Sequence, residues 1–222
     1  MPTSGPPGET PNRFERRRQQ NRAALLDAAI ELFQGQGVRD TKVEDICARA
    51  DVAPRTFFNH FETREHLYEA IARQRAVQLA ALLDGACEDP APLDQRLPAL
   101  FAAIGQYLDE RPRYRELVGV MLRLGVEGGS EITRTRAIGQ AARHFIENGV
   151  TRGEIGDRHA PEVLAEILVG ALNAALSNWS ASEDYSLARN LEPSARALCD
   201  LLSAGVATPG TTSHSSGDDG AQ

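Results

Sequence analysis

Lysine is almost missing from this chain: Lys42 stands against 23 arginines, a bias we read as genomic base composition. Cysteine is scarce as well. Cys47, Cys87 and Cys199 lie far apart and form neither a CxxC nor a Cys/His ligand spacing. An odd, scattered set argues against a disulfide framework and suits a reducing cytoplasm. No run of 18 or more apolar residues occurs, so no membrane span is expected, and no apolar stretch near the start reads as a signal peptide. Period-two alternation is rare and β-branched residues are sparse, which leaves strands unsupported. The signatures of catalysis are missing too. There is no GxSxG, no Gly-rich phosphate loop and no pair of carboxylates framed by a basic group. Gly125, Gly128 and Gly129 make a glycine-rich stretch, but without a Lys-Ser/Thr pair or a preceding strand it reads as a turn between helices. His66, His144 and His159 share no ligand spacing, so neither a metal nor a cofactor is expected.

What remains is a 222-residue chain that is 41% apolar, enough for a sizeable core. Its net charge of −7 is unevenly placed. From Pro11 to Arg75 there are 12 Arg or Lys against 10 Asp or Glu, and the acidity lies beyond Arg75. Residues 1–12 and 207–222 are rich in Pro, Gly, Ser and Thr and read as disordered tails. Between them the apolar residues recur with helical period, so the expected fold is all-α.

The first helix is expected over roughly Arg16 to Gln34, with Leu25, Leu26, Ala29, Ile30 and Phe33 on its apolar face and Gly35 and Gly37 at its end. A second starts at Thr41, where Thr41 and Glu44 have capping-box spacing. It buries Val43, Ile46, Cys47 and Ala50. After a break at Asp51-Val52-Ala53, Pro54 opens a short third helix to Phe61. Thr63 caps a long fourth helix, and Asp89 to Pro92 form a linker. Later helices run from Leu93 to Glu110, Arg113 to Leu124, Glu131 to Asn148, about Pro161 to Ser180, and a last one ending near Ala204. Pro193 either kinks that last helix or starts it.

Two short helices joined by a tight break, with a third behind them, form the helix-turn-helix plan, whose second helix enters the major groove. Phe57 and Phe61 sit four apart and face inward. Arg55, Thr56, Asn59 and His60 then face outward. Arg can fork onto guanine, Asn onto adenine, and a Thr methyl can meet that of thymine. The run Arg16, Arg17, Arg18 is either an arm touching phosphates or the minor groove, or a solvated first turn. Its place beside the motif favours the arm.

From Thr41 to Ile71 the chain resembles the DNA-binding motif of TetR-family regulators. The resemblance rests on Val52 after the turn, then Thr56-Phe57-Phe58-Asn59-His60-Phe61, then Thr63, Arg64 and Glu65. It implies that Pro54, Arg55, Thr56 and Asn59 meet base edges, that His60 and Arg64 meet phosphates, and that Thr41 sits close to one. Two positions depart from the pattern. Asp51 stands where Gly is usual in the turn, and Asp tolerates the left-handed region at some cost. Phe58 stands where Tyr is common, which removes one phosphate hydrogen bond.

The resemblance further implies an N-terminal three-helix DNA-binding domain over residues 13–65 and a larger helical regulatory and dimerisation domain over residues 66–206. It implies a cytoplasmic homodimeric repressor on a near-palindromic operator of double-stranded DNA, released by a small-molecule effector. Phe101, Ile104, Tyr107, Met121 and His144 are the candidate cavity residues. Leu164, Leu168, Leu172, Leu176, Leu198 and Leu202 are the candidate dimer contacts. The fourth helix, common to both domains, would act as a lever. The alternative is a small helical enzyme or ligand-sequestering protein whose basic N-terminus is incidental.

Overall fold

The computed structural model describes residues 13–127 and 131–204, with side chains described outside 124–136. Both expected tails, and residues 128–130 of the expected glycine turn, lie outside the described residues. All regular structure among the described residues is helical: α1 (Arg13–Gln36), α2 (Val43–Arg49), α3 (Pro54–His60), α4 (Arg64–Glu88), α5 (Leu93–Asp109), α6 (Arg115–Glu127), α7 (Glu131–Thr151), α8 (Pro161–Ala181) and α9 (Leu187–Ser203). A single 3₁₀ turn, Pro112–Tyr114, precedes α6.

The expected apolar face of α1 is buried as a unit. Leu25, Leu26, Ala29, Ile30 and Phe33 all lie inside, joined by Ile46 and Cys47 of α2, Phe57 of α3 and the capping Phe61. Phe57 and Phe61 pack with ring centroids 5.6 Å apart, and Phe33 meets Tyr68 of α4 at 5.8 Å. The first turns of α4 thus close the same core, through Leu67, Tyr68 and Ile71. Beyond them α4 buries Ala76, Leu83 and Cys87 among the later helices.

α5 and α9 run antiparallel and unusually close. A Cβ on Gly105 would stand 2.7 Å from the backbone of Ala188, so only glycine fits there. The same contact is locked electrostatically. Asp109, at the end of α5, accepts from the amides of Leu187 (3.1 Å) and Ala188 (3.0 Å) and from the hydroxyl of Ser186 (2.8 Å), satisfying free donors at the start of α9. Burial pushes the Asp109 carboxyl up. The amides of Ala188 and Leu187 and the Ser186 hydroxyl outweigh it and hold the group below the usual carboxylate range. A second lock is the buried Arg96 of α5. It donates to the carbonyl of Ala86 (2.9 Å) and pairs with Glu154, tying the end of α4 to the segment after α7. The three cysteines are buried. Burial, with acidic neighbours, pushes the Cys47 and Cys87 thiols up and that of Cys199 up to about 11, which opposes thiolate chemistry.

Of the two readings of Pro193, the start is ruled out: α9 begins at Leu187 and Pro193 lies inside it. The leucines expected to face a second copy are occupied at home. Leu164, Leu168, Leu172, Leu198 and Leu202 are buried within the single chain, and Leu176 is half-buried beside a cavity. The apolar positions α8 leaves exposed are instead Val163 and Ile167, with Gly170 and Ala174 continuing the stripe; on α9 they are Pro193, Ala197 and Leu201. Finally, α8 is long and apolar enough, by length and composition, to cross a membrane. A helix packed on one side and apolar on the other meets the same test, and Leu164, Leu168, Leu172 and Trp179 all point inward.

Replacing Gly105 with alanine should force α5 and α9 apart. We expect a loss of about 1–3 kcal/mol of stability, the cost typical of overpacking, read from urea or thermal unfolding.

Candidate nucleic-acid interface

The turn between α2 and α3 decides how the reader helix is presented. Asp51 adopts φ 53°, the left-handed region, and no other described non-glycine residue has a positive φ. Around it the Asp51 amide donates to Ala48 O (3.3 Å) and the Val52 amide to Cys47 O (3.0 Å). This paired closure is the Schellman arrangement, in which the left-handed residue is normally glycine. The turn therefore forms with Asp in the glycine place, as expected. Pro54 then starts α3 at a position where a missing N–H costs nothing.

With Phe57 and Phe61 turned inward, Pro54, Arg55, Phe58 and Asn59 are exposed, and Thr56 and His60 are half-buried. Phe58 packs edge-on against Phe57 at 5.3 Å, so the residue replacing tyrosine keeps the packing. Arg16, Arg17 and Arg18 are all exposed on the first turns of α1. Arg18 and Arg22 come together with Glu15, Gln19 and His60 around a depression of about 330 Å³. The Arg22 guanidinium also lies 5.1 Å from the centre of the Phe61 ring. The basic N-terminal run and the end of the reader helix, far apart in sequence, therefore share one surface.

Two expected contacts are placed elsewhere. Thr41 does not cap α2, which begins at Val43, with Lys42 as its N-terminal flank. Its hydroxyl donates to Gly37 O (2.7 Å) and accepts from Gln36 (3.2 Å), and the residue is fully buried. It braces the bend between α1 and α2 and has no surface to offer a phosphate. The capping carboxylate is Asp45, which accepts from the Lys42 amide at 3.0 Å, and Lys42 is the exposed cation of that corner. Arg64 is half-buried and engaged internally. It donates to Val38 O (2.9 Å) and lies over the Tyr68 ring at 5.7 Å. The same bond that holds the α1–α2 connection turns its guanidinium away from a phosphate role. Thr63 does cap α4, accepting from the His66 amide at 3.4 Å.

The sequence model described as bacterial regulatory proteins, tetR family, matches residues 25–71, which span the buried face of α1 through the first turns of α4. Over these residues the chain is similar to the TetR family. It is similar to the HTH-type transcriptional repressor DhaR of Mycobacterium sp. (strain GP1), with 28% identity over 179 residues, 78% of this chain and 85% of DhaR. Its fold is shared by a TetR-family transcriptional regulator from Pectobacterium atrosepticum (TM-score 0.67, 21% identity, covering 86% of this chain and 95% of that one). It is shared also by FadR of Bacillus subtilis, solved in complex with stearoyl-CoA (TM-score 0.62, 16% identity, covering 82% and 98%). With that match and those relatives, the chain is a DNA-binding transcriptional regulator, and the enzyme alternative is set aside.

A second concavity, of about 800 Å³, lies between α4, α5, α6 and α8. Ile104, Tyr107 and Met121 line it, as the resemblance implied. Phe101 and His144 do not. Phe101 is sealed in the core, and His144 is exposed on α7, 3.3 Å from Asp84. Unforeseen were Arg75, Gln78, Tyr114, Asn173 and Ser177 in the wall. Arg75 could have been found. It interrupts the apolar stripe Ile71, Leu79, Leu82 at helical spacing, where a solvated arginine is out of place.

Burial lowers the His60 pKa, and Arg18 and Arg22 lower it further, so the free protein holds the ring neutral at pH 7. A DNA phosphate seated over this cluster would favour the protonated ring and raise that pKa. Binding would then take up a proton, and affinity should rise as pH falls from 8 to 6 at fixed ionic strength. In fluorescence anisotropy His60→Gln should flatten this dependence; an unchanged slope would place His60 away from the phosphates.

Proposed function

We propose that this regulator is a homodimeric repressor that holds a near-palindromic operator and releases it when a small molecule fills the cavity of the larger domain. Residues 13–65 form the DNA-binding unit in this reading, and residues 66–206 form the regulatory and dimerisation unit. One observation carries it: the cavity and the reader domain share a wall. Tyr107 lines the cavity while its hydroxyl accepts from Gln34 of α1 (3.4 Å). Tyr114 lines it too, and the adjacent Arg113 donates to Gly35 O at the end of α1. Arg39, just beyond α1, pairs with Glu116 of α6 at 2.6 Å. A molecule that moves the 3₁₀ turn or α4 from inside would move the end of α1, and with it the frame that carries α3. It does so only to the extent that it binds one arrangement better than the other. The stearoyl-CoA held by the Bacillus subtilis FadR supports ligand response in a protein of this fold.

On DNA, Arg55, Thr56 and Asn59 read base edges, with Pro54 beside them, while Arg16, Arg17, Arg18 and His60 follow the backbone. Two copies whose reader helices stand about 34–36 Å apart would meet successive major grooves. The exposed stripe Val163, Ile167, Gly170 and Ala174 on α8, with Pro193, Ala197 and Leu201 on α9, supports a seam of paired helices between copies. Leu201, at 70% exposure, is the most exposed large apolar side chain of that seam.

Arg55→Ala should cost about 1–3 kcal/mol on the preferred operator and relax selectivity at one base pair per half-site, read by selection from random DNA and by anisotropy. Selection that returns no two-fold-symmetric site would overturn the operator reading. Ile167→Glu should leave the circular dichroism spectrum intact, convert the dimer to monomer in light scattering, and weaken operator binding at least tenfold. A stable dimer carrying that substitution would move the seam elsewhere.

A further inference from the structure

The cavity is not evenly lined. α4 and α5 are joined by the short connection at Asp89 to Pro92 and run antiparallel, so Arg75 of α4 lies level with Tyr107 of α5, and Leu82 with Leu100. The polar wall groups gather at the Arg75 end. Tyr107 is held there by Gln34 of α1, and Tyr114 by Arg75 and by its neighbour Arg113 on Gly35 O. Asn173 and Ser177 lie toward the same end, because Arg115 holds the carbonyl of Trp179 and so brings the end of α8 beside the start of α6. Leu79, Leu82, Leu100, Ala103 and Val169 wall the other end. Leu82 is two turns beyond Arg75, about 10 Å along the α4 axis.

Arg75 is the sole charged residue among the described residues of this wall, and no described carboxylate pairs with it. Its Nε donates to the Tyr114 hydroxyl (3.0 Å) and its Nη1 to Gln78 Oε1 (2.6 Å). Both partners are neutral, so the positive charge is held in place but not balanced. Because the Tyr114 oxygen accepts from Arg75, its own proton is left to donate into the cavity. An arginine donor and a phenol donor converging on one spot match the two oxygens of a carboxylate. Among the described residues, the long apolar remainder offers no partner for a second polar group.

We propose that the cavity binds a monocarboxylate with an apolar body, its carboxylate on Arg75 and Tyr114 next to the DNA-binding domain and its body directed toward Leu82 and Leu100. The body can be a straight alkyl chain or an aromatic ring system; the head chemistry is the same. This deepens the effector reading above and rests on it only for the consequence to DNA.

The test is calorimetric titration of the full chain with octanoate, decanoate and dodecanoate, with 1-dodecanol as the neutral match and 2-naphthoate as the aromatic arm. Each added methylene should tighten binding about fourfold until the cavity is filled. Dodecanoate should bind at least tenfold more tightly than dodecanol. Arg75→Met should erase that preference while leaving dodecanol within about threefold, and Arg75→Lys should restore most of it. The dodecanol arm also reports that the variants are folded. Tight binding of naphthoate with weak binding of all the alkanoates would assign the aromatic source, and the reverse the alkyl one. Equal affinity for acid and alcohol, a preference that survives Arg75→Met, or no carboxylate binding at all would overturn the proposal. Operator release is measured separately. Carboxylate binding without release leaves the ligand class standing and removes the effector reading; operator binding with no carboxylate binding does the opposite.

Discussion

The end of α1 is where this protein is held together as a device. Four contacts meet there: Arg113 on the carbonyl of Gly35, Arg39 on Glu116, Gln34 on Tyr107, and Arg64 on the carbonyl of Val38. Arginine supplies three of them, and two arginines reach backbone carbonyls left free where α1 stops. A carbonyl in a fixed turn is a rigid acceptor, and a guanidinium fork fixes direction as well as distance. The separate pairs are modest on a partly exposed surface. Together they give the helix that carries the basic run one seat against the cavity wall.

That seat explains why some residues do something other than their chemistry first suggests. Thr41 and Arg64 belong to types that meet phosphates, yet both are drawn into the joint between α1 and α2, where unsatisfied carbonyls are nearer than any DNA. The exposed cations near the reader helix are instead Arg16, Arg17, Arg18 and Lys42. His60 stands between these roles. It is half-buried, kept neutral by burial and by the arginines beside it, and close enough to the surface for an anion to reverse that balance.

The two halves of the molecule use small residues differently. In the DNA-binding part the sharp feature is a strained position, Asp51 at positive φ, tolerated because Asp visits the left-handed region more readily than most residues. In the larger part it is a close approach, Gly105 against Ala188, with Asp109 capping the helix that approaches. One fixes the angle between α2 and α3; the other fixes α9 on α5, from which the cavity wall at Tyr107 and Leu108 extends.

The all-helical class, the boundaries of the first five helices to within a few residues, the inward Phe57 and Phe61 and the left-handed turn were all readable in the sequence. Each follows from local rules: helical spacing of apolar residues, a capping group, a proline, a break. The outward set Arg55, Thr56 and Asn59 follows from the same spacing. What the sequence could not specify is which of two apolar faces on α8 meets its own core. Periodicity marks both faces alike, and only packing against α6, α7 and α9 turned the leucines inward and left Val163 and Ile167 outside. Nor could it bring Arg18 to His60, or Arg75 to Tyr114, since those pairs are joined across separate helices whose relative placement is set by the core as a whole. The tertiary structure decided who meets whom, because a side chain's partner depends on the packing of helices and not on its place along one of them.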